Sequence, residues 1–266
     1  MIPRVRAPES RTMITLEVVR REQVSPSFAS VTLGGEALED FIAVGADQTV
    51  RLFFPRDGQP RLRMPTRSSE AWMAEMIILP KTVRPWVRTL TIRRTRPGEV
   101  DIEFALHGDS PMTQWVERVK PGSPAGIFDM GTTYLPPDGV GWQLFAADES
   151  AVPAAKAILD GAPHWLKAEA FLEVPTTADV PVTPPSWPAG VRVHWLPRDD
   201  PARRPGELVL DAVRRATLPS GRFYTWVAGE ARLPTSLRRH LVADRGARKP
   251  DISFTGYWRY GHSSPG

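Results

Sequence analysis

Residues 86–94 read Trp86-Val87-Arg88-Thr89-Leu90-Thr91-Ile92-Arg93-Arg94, a β-prone run edged by arginines. A guanidinium is always charged and presents a planar fork that grips phosphate oxygens in pairs. Fixed on a strand that also carries a threonine, such groups suit a large anionic cofactor held against a rigid backbone. A second run, His107-Gly108-Asp109-Ser110-Pro111-Met112-Thr113-Gln114-Trp115, directly follows a strand-like segment. Ser110 is a good N-cap and Pro111 suits the first helical position. The N–H groups of Met112 and Thr113 are then expected at a helix N-terminus, which is a ready site for a pyrophosphate. An ordinary strand-to-helix junction carries the same residues, and His107 also suits a structural role.

Three further runs fall at expected strand ends. Ala147-Asp148-Glu149-Ser150 places adjacent carboxylates where a nucleotide fold puts its ligand loop, and equally where they complement a helix dipole. Val227-Ala228-Gly229-Glu230, with Arg232 beyond, occupies a similar position. Gly256-Tyr257-Trp258-Arg259-Tyr260-Gly261 is an aromatic cluster that either plugs a core or covers a planar cofactor, with Arg259 adding charge. Other chemistries lack their residues. The five histidines show no paired metal spacing, so no protein-bound metal is expected. The absence of cysteine removes thiol nucleophiles and thiolate ligands. No nucleophile elbow, Walker loop or G-x-G-x-x-G fingerprint occurs.

These runs must be positioned by elements of two kinds. Thr15–Arg20, Phe28–Leu33, Thr49–Phe54, 89–95 and 99–106 alternate or are β-branched, with Arg96-Pro97-Gly98 as a hairpin-like turn. Such short punctuated strands predict a small β-barrel. Residues 59–81 read as a long insertion with a helical stretch over 70–77, either a surface excursion or a flap over a ligand. After the Leu135–Gly139 linker the pattern alternates. Strands are expected at Trp142–Ala147, Ala168–Val174, Val191–Leu196, Arg222–Ala228 and Ile252–Trp258. Helices are expected at Ser150–Leu159, Glu207–Ala216 and Ala231–Val242, with a proline-rich loop over 175–190. That alternation predicts a parallel sheet covered by helices. The expected domains are a barrel over 1–136 and a nucleotide-type α/β domain over 137–266.

The 266 residues carry 34 basic and 30 acidic side chains, and of the basic ones only Lys81, Lys120, Lys156, Lys167 and Lys249 are lysine. The arginines are scattered and accompany no nucleic-acid-binding signature, so no nucleic-acid partner is expected. No signal-peptide core and no bilayer-length apolar run is visible, and a cysteine-free chain suits a reducing cytoplasm. A cytoplasmic protein without membrane insertion is the expectation.

In order and spacing, the runs resemble the siderophore-interacting proteins, a branch of the ferredoxin-NADP reductase-like flavoproteins. The resemblance spans nearly the whole chain: VTLGG (Val31–Gly35), LEDF (Leu38–Phe41), RLFFP (Arg51–Pro55), RPWVRTLTIRR, IEFALHG, DES-A-VPA, VHWLPR (Val193–Arg198), VAGE and GYWRYG. It implies a six-stranded antiparallel flavin barrel, an α/β domain for NADH or NADPH, bound FAD and reduction of ferric siderophores. By the same resemblance Arg88, Leu90, Thr91 and Arg93 line the flavin and its phosphates. His107, Gly108, Met112 and Thr113 take the pyrophosphate and adenosine side. Asp148 and Glu149 lie near the nicotinamide and flavin, and Trp258 near the isoalloxazine. Weaker assignments are Arg259, Arg63 and Arg67 for the siderophore, and Arg198, Gly229 and Glu230 for NAD(P)H. The chain departs from the pattern twice: Leu90 replaces a flavin-contacting tyrosine, and Ala147 replaces a glycine before the aspartate. A ferric-siderophore reductase is the first reading, with ferredoxin as an alternative electron donor. A general flavin reductase and a flavin-free siderophore shuttle stand beside it.

Overall fold

The computed structural model describes residues 4–59, 61–69, 71–181 and 187–262. The chain forms two compact units, one from Val5–Val24 and Phe28–Thr132, the other mainly from Thr133 onward. The boundary therefore lies just before the Leu135–Gly139 stretch.

The first unit is a closed antiparallel barrel with strand order β1-β2-β5-β4-β3-β6. Its strands are β1 (Met13–Ser25), β2 (Phe28–Gly34), β3 (Thr49–Phe54), β4 (Trp86–Arg96), β5 (Glu99–Ala105) and β6 (Pro124–Gly131). Period-two alternation builds its core: Ile14, Leu16 and Val18 of β1 and Val50, Leu52 and Phe54 of β3 are buried together. Strand β6 has no counterpart among the strands read from sequence. Its run PAGIFDMG opens on proline and carries Asp129, which is buried and accepts hydrogen bonds from the Gln48 side-chain amide and the Gly131 N–H.

The 59–81 region is anchored to the barrel. Helix α1 (Trp72–Ile78) sets Trp72 edge-on to Phe53 at 5.4 Å, and Trp72, Met76 and Leu79 pack with Phe53 and Phe128. The helix begins later than its expected start, and Glu70 lies outside the described residues. Helix α2 (Pro111–Arg118) packs Val116 and Trp115 onto the barrel core, with Trp115 beside Phe54 and Phe104 at 5.1 and 6.0 Å.

The second unit is a parallel five-stranded sheet with order β11-β10-β7-β8-β9. Its strands are β7 (Trp142–Ala147), β8 (Ala168–Val174), β9 (Val191–Pro197), β10 (Phe223–Glu230) and β11 (Ile252–Trp258). Every residue of β7, β8 and β10 is buried, as expected for strands covered on both faces. The helices are α3 (Val152–Asp160), α4 (Glu207–Arg215) and α5 (Arg232–Asp244). The ferredoxin reductase-like pairing of barrel and parallel sheet is thus present. Part of the 175–190 loop, residues 182–186, lies outside the described residues.

Candidate cofactor and nucleotide sites

In the barrel unit the informative feature is a gap in strand pairing. Strand β4 pairs with β5 only from Ile92 to Arg96, with a bulge between Ile92 and Arg94. Its first half, Trp86 to Thr91, pairs with β3 alone. The end of β5, Glu103 to Ala105, pairs with β2 alone. The seam therefore opens along Trp86–Thr91 and exposes a strand edge to a ligand. Arg88 and Leu90 lie opposite Leu52 and Val50, so they share one face of β4, and Thr91 lies opposite Thr49 on the other.

Three arginines gather where the seam opens. The Arg56 guanidinium lies 3.6 Å from the Trp86 ring centre and that of Arg88 lies 5.2 Å from it. Arg56 donates to the Arg84 carbonyl, Arg88 to the Val87 carbonyl, and Arg84 to the carbonyls of Ile77 and Leu79. Among the described residues no carboxylate pairs with any of the three. Burial, then repulsion from Arg56, holds the Arg88 pKa below its ordinary value. Burial and Arg84 act the same way on Arg56. A cavity of about 460 Å³ adjoins the group, lined among others by Arg56, Trp86, Pro111, Gln114 and Trp115.

Helix α2 opens as its sequence requires. The Ser110 hydroxyl accepts from the Thr113 N–H at 3.1 Å, and proline begins the helix. This corrects one expectation, because the Thr113 N–H is used by the cap and does not point outward. The Thr113 hydroxyl also bridges His107 and Ser110, which makes it a brace for the loop. The Met112 N–H remains at the open helix end, beside Gly108, whose φ of 47° selects glycine and whose Cβ direction is empty. A second correction concerns Arg93. It is buried, with Glu103 3.6 Å away, so its charge is answered inside the protein. An open strand edge, a free helix end and a half-buried guanidinium without a counter-ion together fit a flavin carrying a diphosphate.

In the α/β unit the expected residues do converge on the carboxyl edge of the sheet, but the charged ones mostly serve each other. Asp148 is fully buried and accepts from the Ser150 N–H and hydroxyl at 2.9 and 2.6 Å and from the Glu230 N–H at 2.5 Å. Burial, then the neighbouring Glu149, pushes its pKa up to about 7. Gly229 makes this approach feasible: its φ is 139°, and a Cβ would meet the Asp148 carboxylate at 2.6 Å. Glu149 is paired with Arg198 by two bonds of 2.8 and 2.9 Å, and Arg198 also donates to Glu173 at 2.6 Å. Glu173 in turn caps α4 through the Gly206 N–H at 3.0 Å. Burial alone would lower the Arg198 pKa, yet Glu149 and Glu173 raise it. Burial raises that of Glu173.

Arg198 is therefore spent on two carboxylates and not presented to a 2′-phosphate. Asp148, Glu149 and Gly229 knit strand ends together. Ala147 is also fully buried, so its methyl group packs in the sheet. The Glu230 carboxylate accepts from the N–H groups of Arg232 and Tyr260. Trp258 is half-buried at the end of β11, its ring 6.3 Å from that of Tyr260. Arg259, Arg63 and Arg67 are exposed.

Cations without carboxylate partners among the described residues do occur in this unit, and of them the sequence had marked only Arg232. Arg204 just before α4, Arg214 in its last turn and Arg232 at the start of α5 line a cavity of about 250 Å³, together with Gly206, Glu207 and Glu230. Arg204 stacks 4.6 Å over the Tyr260 ring. These residues come from distant segments, as do Arg56 and Trp86, and no spacing rule joins them.

A barrel opened for an anionic cofactor and a parallel nucleotide-type sheet define a flavoprotein of the ferredoxin reductase-like class. Residues 17–133 match the siderophore-interacting FAD-binding domain, and residues 140–261 match the siderophore-interacting protein model. The ferric vibriobactin reductase ViuB of Vibrio cholerae is 30% identical, covering 92% of this chain and 89% of its own. The NADPH-dependent ferric-chelate reductase of Escherichia coli is 26% identical, covering 86% of this chain and 87% of its own. A siderophore utilization protein from T. fusca superimposes with a TM-score of 0.81 at 27% identity, covering 100% of this chain and 99% of the other. The chain belongs to the siderophore-interacting protein family and carries its FAD-binding domain.

Proposed function

We propose that this chain is a flavin-dependent ferric-siderophore reductase that takes electrons from NAD(P)H and delivers them to iron. The open β4 seam with Arg88, which has no acidic partner among the described residues, is the observation that carries this reading. Bound FAD supplies the conversion of a two-electron donor into single electrons for iron. The chain supplies grip and orientation. Arg88 holds the diphosphate together with the Met112 end of α2, and Arg56 on Trp86 adds a second cation. Leu90 offers the isoalloxazine an aliphatic surface where the family has a tyrosine, so the grip shifts toward the phosphates. Reduction of the iron weakens its bonds to hard siderophore oxygens and frees the metal for exchange.

On the α/β unit, Arg204, Arg214 and Arg232 are the cations available to the 2′-phosphate of NADPH, which makes NADPH the preferred donor. No observation supports ferredoxin in that role. Arg259, Arg63 and Arg67 are exposed cations without carboxylate partners among the described residues, and they suit an anionic ferric siderophore. No helix among the described residues is long and apolar enough to cross a membrane, and a cytoplasmic site of action agrees with the cysteine-free sequence.

The test is FAD titration of the purified protein, followed by anaerobic addition of NADPH or NADH and then a panel of ferric siderophores. Flavin bands that bleach with NADPH and return with ferric siderophore are expected. Absence of FAD uptake would leave a shuttle, and equal turnover of free flavins without siderophore dependence would leave a general flavin reductase.

A further inference from the structure

Helix α1 is apolar on both faces. One face, Trp72 and Met76, is buried against Phe53 and Phe128. The other carries Met73 and Ile77 one turn apart, with Ile78 beside them. Ile77 is 74% exposed and Ile78 81% exposed. A single exposed isoleucine is unremarkable, but a helix apolar all round normally has both faces covered.

The surroundings are basic. Arg61, Arg63 and Arg67 are exposed on the preceding loop, which bonds from Thr66 to Glu75 tie to α1. Lys81 follows the helix, and the Arg84 guanidinium lies against the Ile77 and Leu79 carbonyls. Of the acidic residues in this stretch, Glu75 is engaged by Thr66 and Glu70 lies outside the described residues. Exposed aliphatic side chains on a helix flanked on both sides by exposed cations match the boundary between anionic headgroups and acyl chains. A protein partner would instead call for an aromatic anchor, and the exposed residues of this face are Met73, Ile77 and Ile78.

We propose that α1 docks the protein peripherally on an anionic lipid surface. Ile77 and Ile78 enter the headgroup boundary, while Arg61, Arg63, Arg67 and Lys81 face the lipid phosphates. The helix lies on the bilayer and does not cross it. The surface shares Arg63 and Arg67 with the proposed siderophore contacts, but Ile77 and Ile78 have no part in flavin or siderophore binding, so their substitution tests lipid docking separately from the reductase reading.

Co-sedimentation of the full chain with extruded vesicles provides the test. Binding to phosphatidylglycerol-rich vesicles is expected, with little on pure phosphatidylcholine and weakening as salt rises. The double variant Ile77→Glu/Ile78→Glu should lower the partition coefficient roughly tenfold or more, from lost apolar burial. Arg63→Glu/Arg67→Glu should lower it on the anionic vesicles only. An unchanged circular dichroism spectrum and FAD uptake would show that the variants fold. No wild-type binding to anionic vesicles, or equal binding by the Ile77/Ile78 variant, overturns the proposal. So does self-association on a sizing column that the same variant abolishes without any vesicle binding, since the patch is then an interface between copies.

Discussion

Arg88 and Arg198 each belong to a strand or follow one directly, and each stands in a run that suggests phosphate binding, yet the two units treat them oppositely. In the barrel, Arg88 is half-buried beside Trp86 with carbonyls for company, and its charge is unanswered by any carboxylate among the described residues. In the α/β unit, Arg198 is clamped between Glu149 and Glu173. An arginine after a strand is thus a ligand group or a structural rivet according to what the other strands bring to it. Arg93 shows the same contrast within the barrel, since Glu103 lies 3.6 Å from it at the seam.

The largest expected effect tests the rivet. Arg198→Ala removes the cation that two buried carboxylates share and should cost about 3–5 kcal/mol of stability, read as a fall in the denaturation midpoint of the α/β unit. FAD affinity should hardly change. A loss of nucleotide affinity with no loss of stability would reverse the assignment.

Next comes the ligand arginine. Arg88→Gln should weaken FAD binding by roughly tenfold to a hundredfold, the scale of a hydrogen bond to a charged group, measured by calorimetric or fluorescence titration. Stability of the empty barrel should stay level or rise, because a repulsive cation has been removed.

Asp148 gives a pH signature. Its folded pKa of about 7 lies above the ordinary carboxylate value, so the folded state binds the proton more tightly than the unfolded one. The stability associated with this group is therefore present at low pH and is lost as pH rises from about 4 to about 7. Asp148→Asn should remove that dependence, so the melting-temperature difference, variant minus wild type, should increase across this window. A flat difference would mean that the carboxyl titrates normally.

The smallest effect is at Leu90. Leu90→Tyr restores the ring the family carries and should tighten FAD by roughly threefold to tenfold, the scale of an aromatic stacking contact. Unchanged affinity would place the isoalloxazine elsewhere on β4.

Local rules carried the sequence a long way. The hydrophobic period marked most strands, Ser110-Pro111 marked the start of α2, and the order of short motifs identified the family. Strand β6 escaped because its proline, glycine and buried aspartate mask the alternation. The sequence also placed Asp148, Glu149, Arg198, Gly229 and Glu230 at strand ends, where the sheet does gather them.

What the chain alone determined, then, was which backbone segments form strands and helices and which charged residues lie at their ends, because both follow from neighbours within a few residues. Which charges are satisfied internally was decided only by tertiary structure. Glu173 reaches Arg198 because β8 and β9 are parallel neighbours, and Arg56 reaches Trp86 because β3 and β4 pair in antiparallel register. Electrostatic neutralisation depends on distance in space. That distance is set by strand order and register, which no single segment encodes.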